Sequence, residues 1–249
     1  MTTCMLCFRE NGEPSPLAIE VEYTNDERLT GRCPFNHEGA IAVQNFDCEI
    51  LFDMGGMALL DGFTREAVTA FAAALERAYE LYIRVIFALS NDPPKFNAET
   101  GQPTSFHTLD TIFEPLWKQQ LGNMSERQLG AFSVLFALNE RAEPLLLSSD
   151  LVGFRNKCAH KGVIPSRAKA LEYGREVMKI IDQIRTITVH KYRPALDRVT
   201  HAHLVQRGAA GGSTMHIPSM INWIAGSSST TLEDRLTALE KYRQWLWRV

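Results

Sequence analysis

Ser148-Ser149-Asp150-Leu151-Val152-Gly153-Phe154-Arg155-Asn156-Lys157-Cys158-Ala159-His160-Lys161-Gly162 is the stretch from which the fold can be read outward. Its first three residues form a helix start, because short polar side chains accept hydrogen bonds from backbone N–H groups that have no partner within the helix. Gly162 suits the opposite end, where a left-handed residue stops a helix at least cost. The helix so bounded, residues 151–160, places a permanent cation (Arg155), an amide (Asn156) and an imidazole (His160) within about one and a half turns. Cys158 and Ala159 are its expected inward-facing residues.

On the C-terminal side, Pro165-Ser166 opens a last long helix, with Ala170, Tyr173, Val177, Ile180, Ile181, Ile184 and Ile187 as its apolar stripe and Pro194 as its limit. On the N-terminal side, Ser125 begins a helix with Gln128 at the capping-box position. Residues 108–121 read as a short helix after a polar, proline-containing loop at 92–106. From Thr64 onward, Phe71, Leu75, Ala78, Tyr79, Tyr82, Ile83 and Ile86 recur at three- and four-residue spacing. That spacing predicts a long amphipathic helix ended by Asn91-Asp92-Pro93-Pro94.

Earlier in the chain the period is two. Leu17, Ile19, Val21 and Tyr23 alternate with Ala18, Glu20 and Glu22. Residues 40–54 alternate as Ile41 and Val43, then shift phase to Phe46, Cys48, Ile50 and Phe52, the pattern of an irregular strand. The period changes at Gly55-Gly56. Beyond Leu196, glycine- and serine-rich stretches at 208–213 and 226–229 flank an apolar segment, 217–225, and precede a terminal helix carrying Leu232, Leu236 and Leu239. Three parts are therefore expected: a β module over 1–55, a helical domain over 56–195, and a flexible C-terminal extension over 196–249 ending in a helix. The extension either clasps the body or docks on a partner.

Net charge is −3, which argues against non-specific coating of nucleic acid. The charge is unevenly spread. Residues 1–66 carry 4 Lys/Arg against 12 Asp/Glu, whereas residues 151–200 carry 11 against 4. Positive potential thus surrounds Arg155 and His160, where a phosphate backbone would need it; a solvated basic helix face is the plain alternative. No run of 18 apolar residues occurs, so no membrane span is expected. Residues 1–9 lack a basic region followed by a long apolar run, and the expected location is cytoplasmic.

Cleavage of RNA without a metal requires a base for the ribose 2′-OH, an acid for the departing 5′-oxygen and positive charge at the phosphate. A free imidazole titrates at roughly 6.5, which suits His160 to either proton role. Arg155 offers a planar fork of donors to phosphate oxygens. Asn156 lies four residues before His160 on one helix face and can either fix the imidazole or bind phosphate. Lys157 and Lys161 are candidate RNA-binding residues. Arg155 and His160, five positions apart, diverge by about 140° on an ideal helix, so one motif alone surrounds a phosphate poorly. Glycine-rich phosphate loops, G-x-S-x-G and magnesium-type carboxylate clusters are absent, which argues against ATP use and two-metal chemistry.

Phe154 to Gly162 resembles the signature of the HEPN superfamily, and Arg155, Asn156 and His160 match its R-N-x-x-x-H pattern position by position. The resemblance spans roughly residues 56–195. It implies a HEPN-like helical bundle, a homodimer in which two facing motifs make one composite site, and a ribonuclease with Arg155, Asn156 and His160 as catalytic residues. The products expected are a 2′,3′-cyclic phosphate (or 3′-phosphate) and a 5′-hydroxyl. It also implies a toxin or phage-defence role, with a regulatory protein or phage-derived trigger as a further partner. The rival class is a catalytically silent HEPN-like binding module, and a third is a zinc-dependent sensor whose helices only dimerise.

Cys4-x2-Cys7 and Cys33-x3-His37 are two ligand pairs at zinc spacing. Four ligands leave no open position, so the expected zinc is structural, as in a zinc-ribbon-like module, and catalysis needs no cofactor. Cys48 is the spare ligand should His37 not serve. The fold class expected is thus mainly α, a helical bundle preceded by a small zinc-bound β module. Of the remaining histidines, His201-x-His203 reads as exposed turn residues.

Overall fold

The computed structural model describes Cys7, Glu10 and residues 29–33, 35–89, 95–96, 103–105, 108–207, 213–216, 219–223 and 230–246. This chain is mainly helical. Its elements are β1 (Leu29–Arg32), β2 (Glu38–Val43), α1 (Asp47–Leu60), α2 (Thr64–Phe87), β3 (Lys95–Phe96), β4 (Pro103–Ser105), α3 (Ser125–Glu140), α4 (Ser149–Lys161), α5 (Arg167–Lys191), α6 (Arg193–Gln206), β5 (Ser213–Met215) and α7 (Leu232–Leu246). Residues 108–121 are helical with wide π turns on either side of a short α turn. Among the described residues no helix is long and apolar enough to cross a membrane. The alternating segment at 17–23 lies outside the described residues.

α2 is the hub, packed by α1, α3, α4, α5, α6 and the π-turn segment. Its apolar stripe is the one the spacing predicts, and Phe71, Ala78, Tyr82 and Ile83 are fully buried. Phe71 shows how tightly the layers meet. Its ring lies 4.8 Å from that of Phe52 on α1 and between two glycines, Gly55 of α1 and Gly174 of α5. A Cβ on Gly55 would stand 2.5 Å from the Phe71 ring, and one on Gly174 would stand 2.8 Å from it. Alanine at a helical glycine ordinarily gains up to about 1 kcal/mol from propensity. Here overlap with an immobile ring reverses the sign, so Gly55→Ala or Gly174→Ala is expected to cost about 1–3 kcal/mol in urea unfolding. An unchanged or raised midpoint would show that the ring can move.

The reading of 40–54 as one irregular strand is corrected. β2 stops at Val43 and α1 begins at Asp47. The Phe46 N–H donates to Glu49 Oε2 at 2.7 Å, the acidic half of a capping box, and turns the chain into the helix. Cys48, Phe52, Gly55 and Leu59 then form the buried face at helical spacing. Gly55-Gly56 is therefore no break, because both glycines sit inside α1 where neighbouring side chains approach closely. One cap expectation also changes. Gln128 makes no capping box at the start of its own helix; it is buried and donates to the carbonyls of Leu121 and Gly122, at the end of the preceding helical segment. α5 ends at Lys191 with Tyr192 as its cap, two residues before Pro194, so Pro194 marks its limit as read; the proline itself sits in the first turn of α6, where a missing N–H costs least.

The described part of 196–249 clasps the body. β5 pairs in parallel with β2, Ile41 opposite Ser213, and completes a three-stranded sheet in the order β1-β2-β5. Ile221 and Trp223 are fully buried, and Leu232, Leu236 and Leu239 of α7 join the same core. Two buried carboxylates of α1 hold this segment. The Trp223 N–H donates to Glu49 Oε1 at 3.0 Å and the Met220 N–H donates to Asp53 Oδ1 at 2.9 Å. Arg235 of α7 donates to the Met220 carbonyl and to Asp182 of α5.

Candidate functional site

α4 lies on the surface of the bundle against α2. The Ser148 hydroxyl accepts from the Leu151 N–H at 3.4 Å, and Gly162 takes φ +69°, so both ends of the helix fall where the sequence places them. Only Cys158 of this helix is fully buried; Ala159, expected inward beside it, is partly exposed.

The three signature side chains divide between two directions. Asn156 and His160 stand exposed on the outer face, with Lys157 and Lys161 beside them. Arg155 turns toward α2 and is half-buried. Its guanidinium forms an ion pair with Glu76 and donates to Asn156 Oδ1 at 3.1 Å. The structure thus brings Arg155 and Asn156 into contact, while no hydrogen bond joins either to His160. Arg155 and His160 thus lie on different sides of α4, in keeping with their five-residue spacing.

Two residues of α2 that sequence reasoning missed hold the signature helix. Glu76 engages Arg155 at one end. At the other, Arg65 Nε donates to the Cys158 carbonyl at 2.9 Å, and its NH2 group donates to the Ala159 carbonyl at 3.4 Å, next to His160. A cation there also complements the negative end of the helix dipole. Arg65 and Glu76 are eleven residues apart, about three turns, so they share one face of α2. The Thr64 hydroxyl donates to the Pro165 carbonyl at 2.7 Å and secures the loop that follows. This spacing was visible in the sequence, but Arg77, Glu80 and Arg84 on the same helix look alike there.

Two buried neighbours, Cys158 and Tyr173, are unfit for proton transfer at neutral pH. Burial pushes the Cys158 thiol up, against a smaller lowering by Arg65. Burial also pushes the Tyr173 hydroxyl up, although the Arg155 charge opposes it. Apolar side chains flank the outer face: Val152 precedes Asn156 by one turn, and Val163 and Ile164 follow the helix, Ile164 being 79% exposed. A Cβ on Gly153 would meet open space, so among the described residues nothing covers this face of α4.

The predicted metal ligands lie apart from this surface. Cys33 N–H donates to the His37 carbonyl at 2.9 Å and Asn36 N–H donates to the Cys33 carbonyl at 2.8 Å, closing the turn between β1 and β2. Asn36 supplies the left-handed residue, φ +64°, that the turn requires. The turn sets Cys33 beside His37, and Cys7 joins them. Cys7 Sγ lies 3.7 Å from Cys33 Sγ and 3.3 Å from His37 Nδ1, and Cys33 Sγ lies 3.6 Å from His37 Nδ1. Cys4 lies outside the described residues. Cys48, the spare, sits in α1 outside this group, and burial holds its thiol well above the usual range. His203 is not an exposed turn residue. It belongs to α6, half-buried, its ring against Phe46 and its Nε2 3.1 Å from the Val43 carbonyl oxygen, and burial lowers its pKa.

A cleft of about 140 Å³ opens between the start of α1, α2, the π-turn segment and α6. Its arginines are already paired: Arg77 and Arg84 with Glu80, Arg84 also with Glu114, and Arg207 with Asp47. The outer face of α4 is therefore the better candidate for binding an external anion. No protein-family model, curated protein or solved structure matches this chain.

Proposed function

We propose that the protein is a metal-independent endoribonuclease of the HEPN type, acting as a homodimer whose two α4 helices face each other. The observation that carries this reading is the exposed pair Asn156 and His160, one turn apart on an uncovered helix face, with Lys157 and Lys161 alongside. One chain offers one imidazole there. General acid and general base are separate roles, and a second copy supplies the second imidazole. Arg155, paired with Glu76 and bonded to Asn156, is the guanidinium that would meet the phosphate on release from that pairing, and Arg65 adds charge at the His160 end. Val152, Val163 and Ile164 give the two copies apolar surface to bury around the site. A toxin or phage-defence role, and a trigger that governs it, belong to the same reading.

The test is cleavage of total RNA in EDTA by the purified full chain, with end-group analysis, beside the Ile164→Glu variant. The expected wild-type protein is a dimer in sedimentation and leaves 2′,3′-cyclic phosphate and 5′-hydroxyl ends. Ile164→Glu is expected to shift the protein toward monomer and to lose most cleavage while keeping its helical circular dichroism, since the side chain is 79% exposed in the single chain; its melting temperature should fall only by the stabilisation that dimerisation supplies. A monomer at all concentrations, or cleavage that needs divalent metal, would sink the proposal. The ion pair between Glu76 and Arg155 favours the rival reading, a silent bundle that binds another protein through this face, because it neutralises the cation meant for phosphate. That reading predicts no cleavage by the wild-type chain under any trigger.

A further inference from the structure

We infer that Cys7, Cys33 and His37 are three ligands of one tetrahedral zinc ion, and that Glu10 is the outer carboxylate that fixes the imidazole. Bonds of about 2.3 Å to sulfur and about 2.0–2.1 Å to nitrogen set tetrahedral edges of about 3.8 Å between two sulfurs and about 3.5 Å between sulfur and nitrogen. The separations found, 3.7 Å for the sulfurs and 3.3 and 3.6 Å from sulfur to Nδ1, match those edges. The sulfurs are far beyond the roughly 2.05 Å of a disulfide.

The histidine adds a second, independent sign. His37 turns Nδ1 to the two sulfurs, and its Nε2 lies 3.0 Å from Glu10 Oε2. A metal-bound imidazole is neutral, with one ring nitrogen on the ion and an N–H on the other, and that N–H donates to a carboxylate in many metal sites. Cysteine spacing suggests a metal, but only the fold brings Glu10 to the far side of the ring. Both sulfurs are buried and His37 is part-exposed, so the ion would sit at the boundary of the hairpin turn. There it ties the N-terminal segment carrying Cys7 and Glu10 to the β1–β2 turn. β2 is also the strand that receives β5, so the ion anchors the edge of the sheet on which the C-terminal segment closes. The role is structural and independent of the ribonuclease reading.

The experiment measures metal in the full chain purified without chelator, then replaces it with cobalt(II). One zinc per chain is expected, with cobalt giving a thiolate charge-transfer band and the d–d bands of a tetrahedral ion. Cys33→Ser and Cys7→Ser are expected to lose the metal. Should they fail to fold, Glu10→Gln decides instead, since Glu10 lies outside the ligand sphere. It should keep one zinc per chain but bind it roughly 10–100-fold more weakly in chelator competition. Less than a tenth of an equivalent of zinc after saturation, a non-tetrahedral cobalt spectrum, or wild-type affinity in Glu10→Gln would overturn the assignment.

Discussion

His160→Ala is expected to lower RNA cleavage about 10²–10⁴-fold, the usual contribution of one general acid–base group. The expectation follows from elimination on the surface of α4. A lysine ammonium cannot accept a proton, an asparagine amide does not titrate, and burial holds the nearby thiol of Cys158 and hydroxyl of Tyr173 in their protonated forms. The imidazole of His160 has one ring nitrogen that can accept a proton and one that can donate, so it alone among Asn156, Lys157, His160 and Lys161 suits both roles. The exposed side chain makes no packing contribution, so the melting temperature should not move. Glu76→Ala supplies the contrast. Freed from its partner, Arg155 keeps its charge but loses its orientation, so kcat should fall while KM changes little, and Glu76→Gln should recover part of the loss by accepting the same hydrogen bond. Cleavage by His160→Ala at the parent rate would mean that the chemistry lies elsewhere or comes from a contaminant.

α4 was legible from sequence because its determinants are local. The cap Ser148, the stop Gly162 and the reactive side chains all lie within fifteen consecutive residues, and each acts on its own helix. The pairing of Cys33 with His37 was legible for the same reason. Failures occurred where the deciding partner is distant in sequence. Phe46, Cys48, Ile50 and Phe52 satisfy a period of two, yet Cys48, Phe52, Gly55 and Leu59 satisfy a helix equally well, and Phe71 on α2 selects the second. Gly55 and Gly56 look like a break unless Phe71 and Met220 are known to press against them. The C-terminal segment looked detachable because its anchors are Glu49, Asp53 and Thr188, none of which can be paired with it by periodicity. Glu76, Arg65 and Glu10 escaped for a related reason: a charged residue on a polar face declares its partner only once two elements meet.

Those anchors carry the second large effect, a fall in stability as pH rises from about 4 to about 7. Glu49 is pushed up to about 7 by burial, against opposing hydrogen bonds from the Trp223 and Phe46 N–H groups. Asp53 is likewise pushed up to about 7 by burial, against the Met220 N–H and the Ser219 hydroxyl. In the unfolded chain both ionise near their ordinary values, roughly 4. The native state therefore binds more protons than the unfolded state between those limits, and ∂ΔG/∂pH for unfolding is negative there. Stability contributed by the two groups is complete below about pH 4, declines through the window and is flat above about pH 7. Each group is worth roughly 3–4 kcal/mol at full effect, an upper figure because the denatured chain is not fully solvated. An acid limb opposes this at the low end. Burial raises Glu140, but donors from Lys191, Tyr192 and Tyr82 outweigh it and hold the carboxyl below its ordinary value, so that contribution is lost as pH falls through the folded value. The optimum should lie near pH 5, with urea midpoints lower at pH 8. Asp53→Asn keeps an oxygen for the Met220 N–H and removes the titration, so its midpoint should change less between pH 5 and pH 8 than the parent's. An equal slope in both proteins, or a parent more stable at pH 8, would show that the segment from Met220 to Trp223 is held by ionised carboxylates instead.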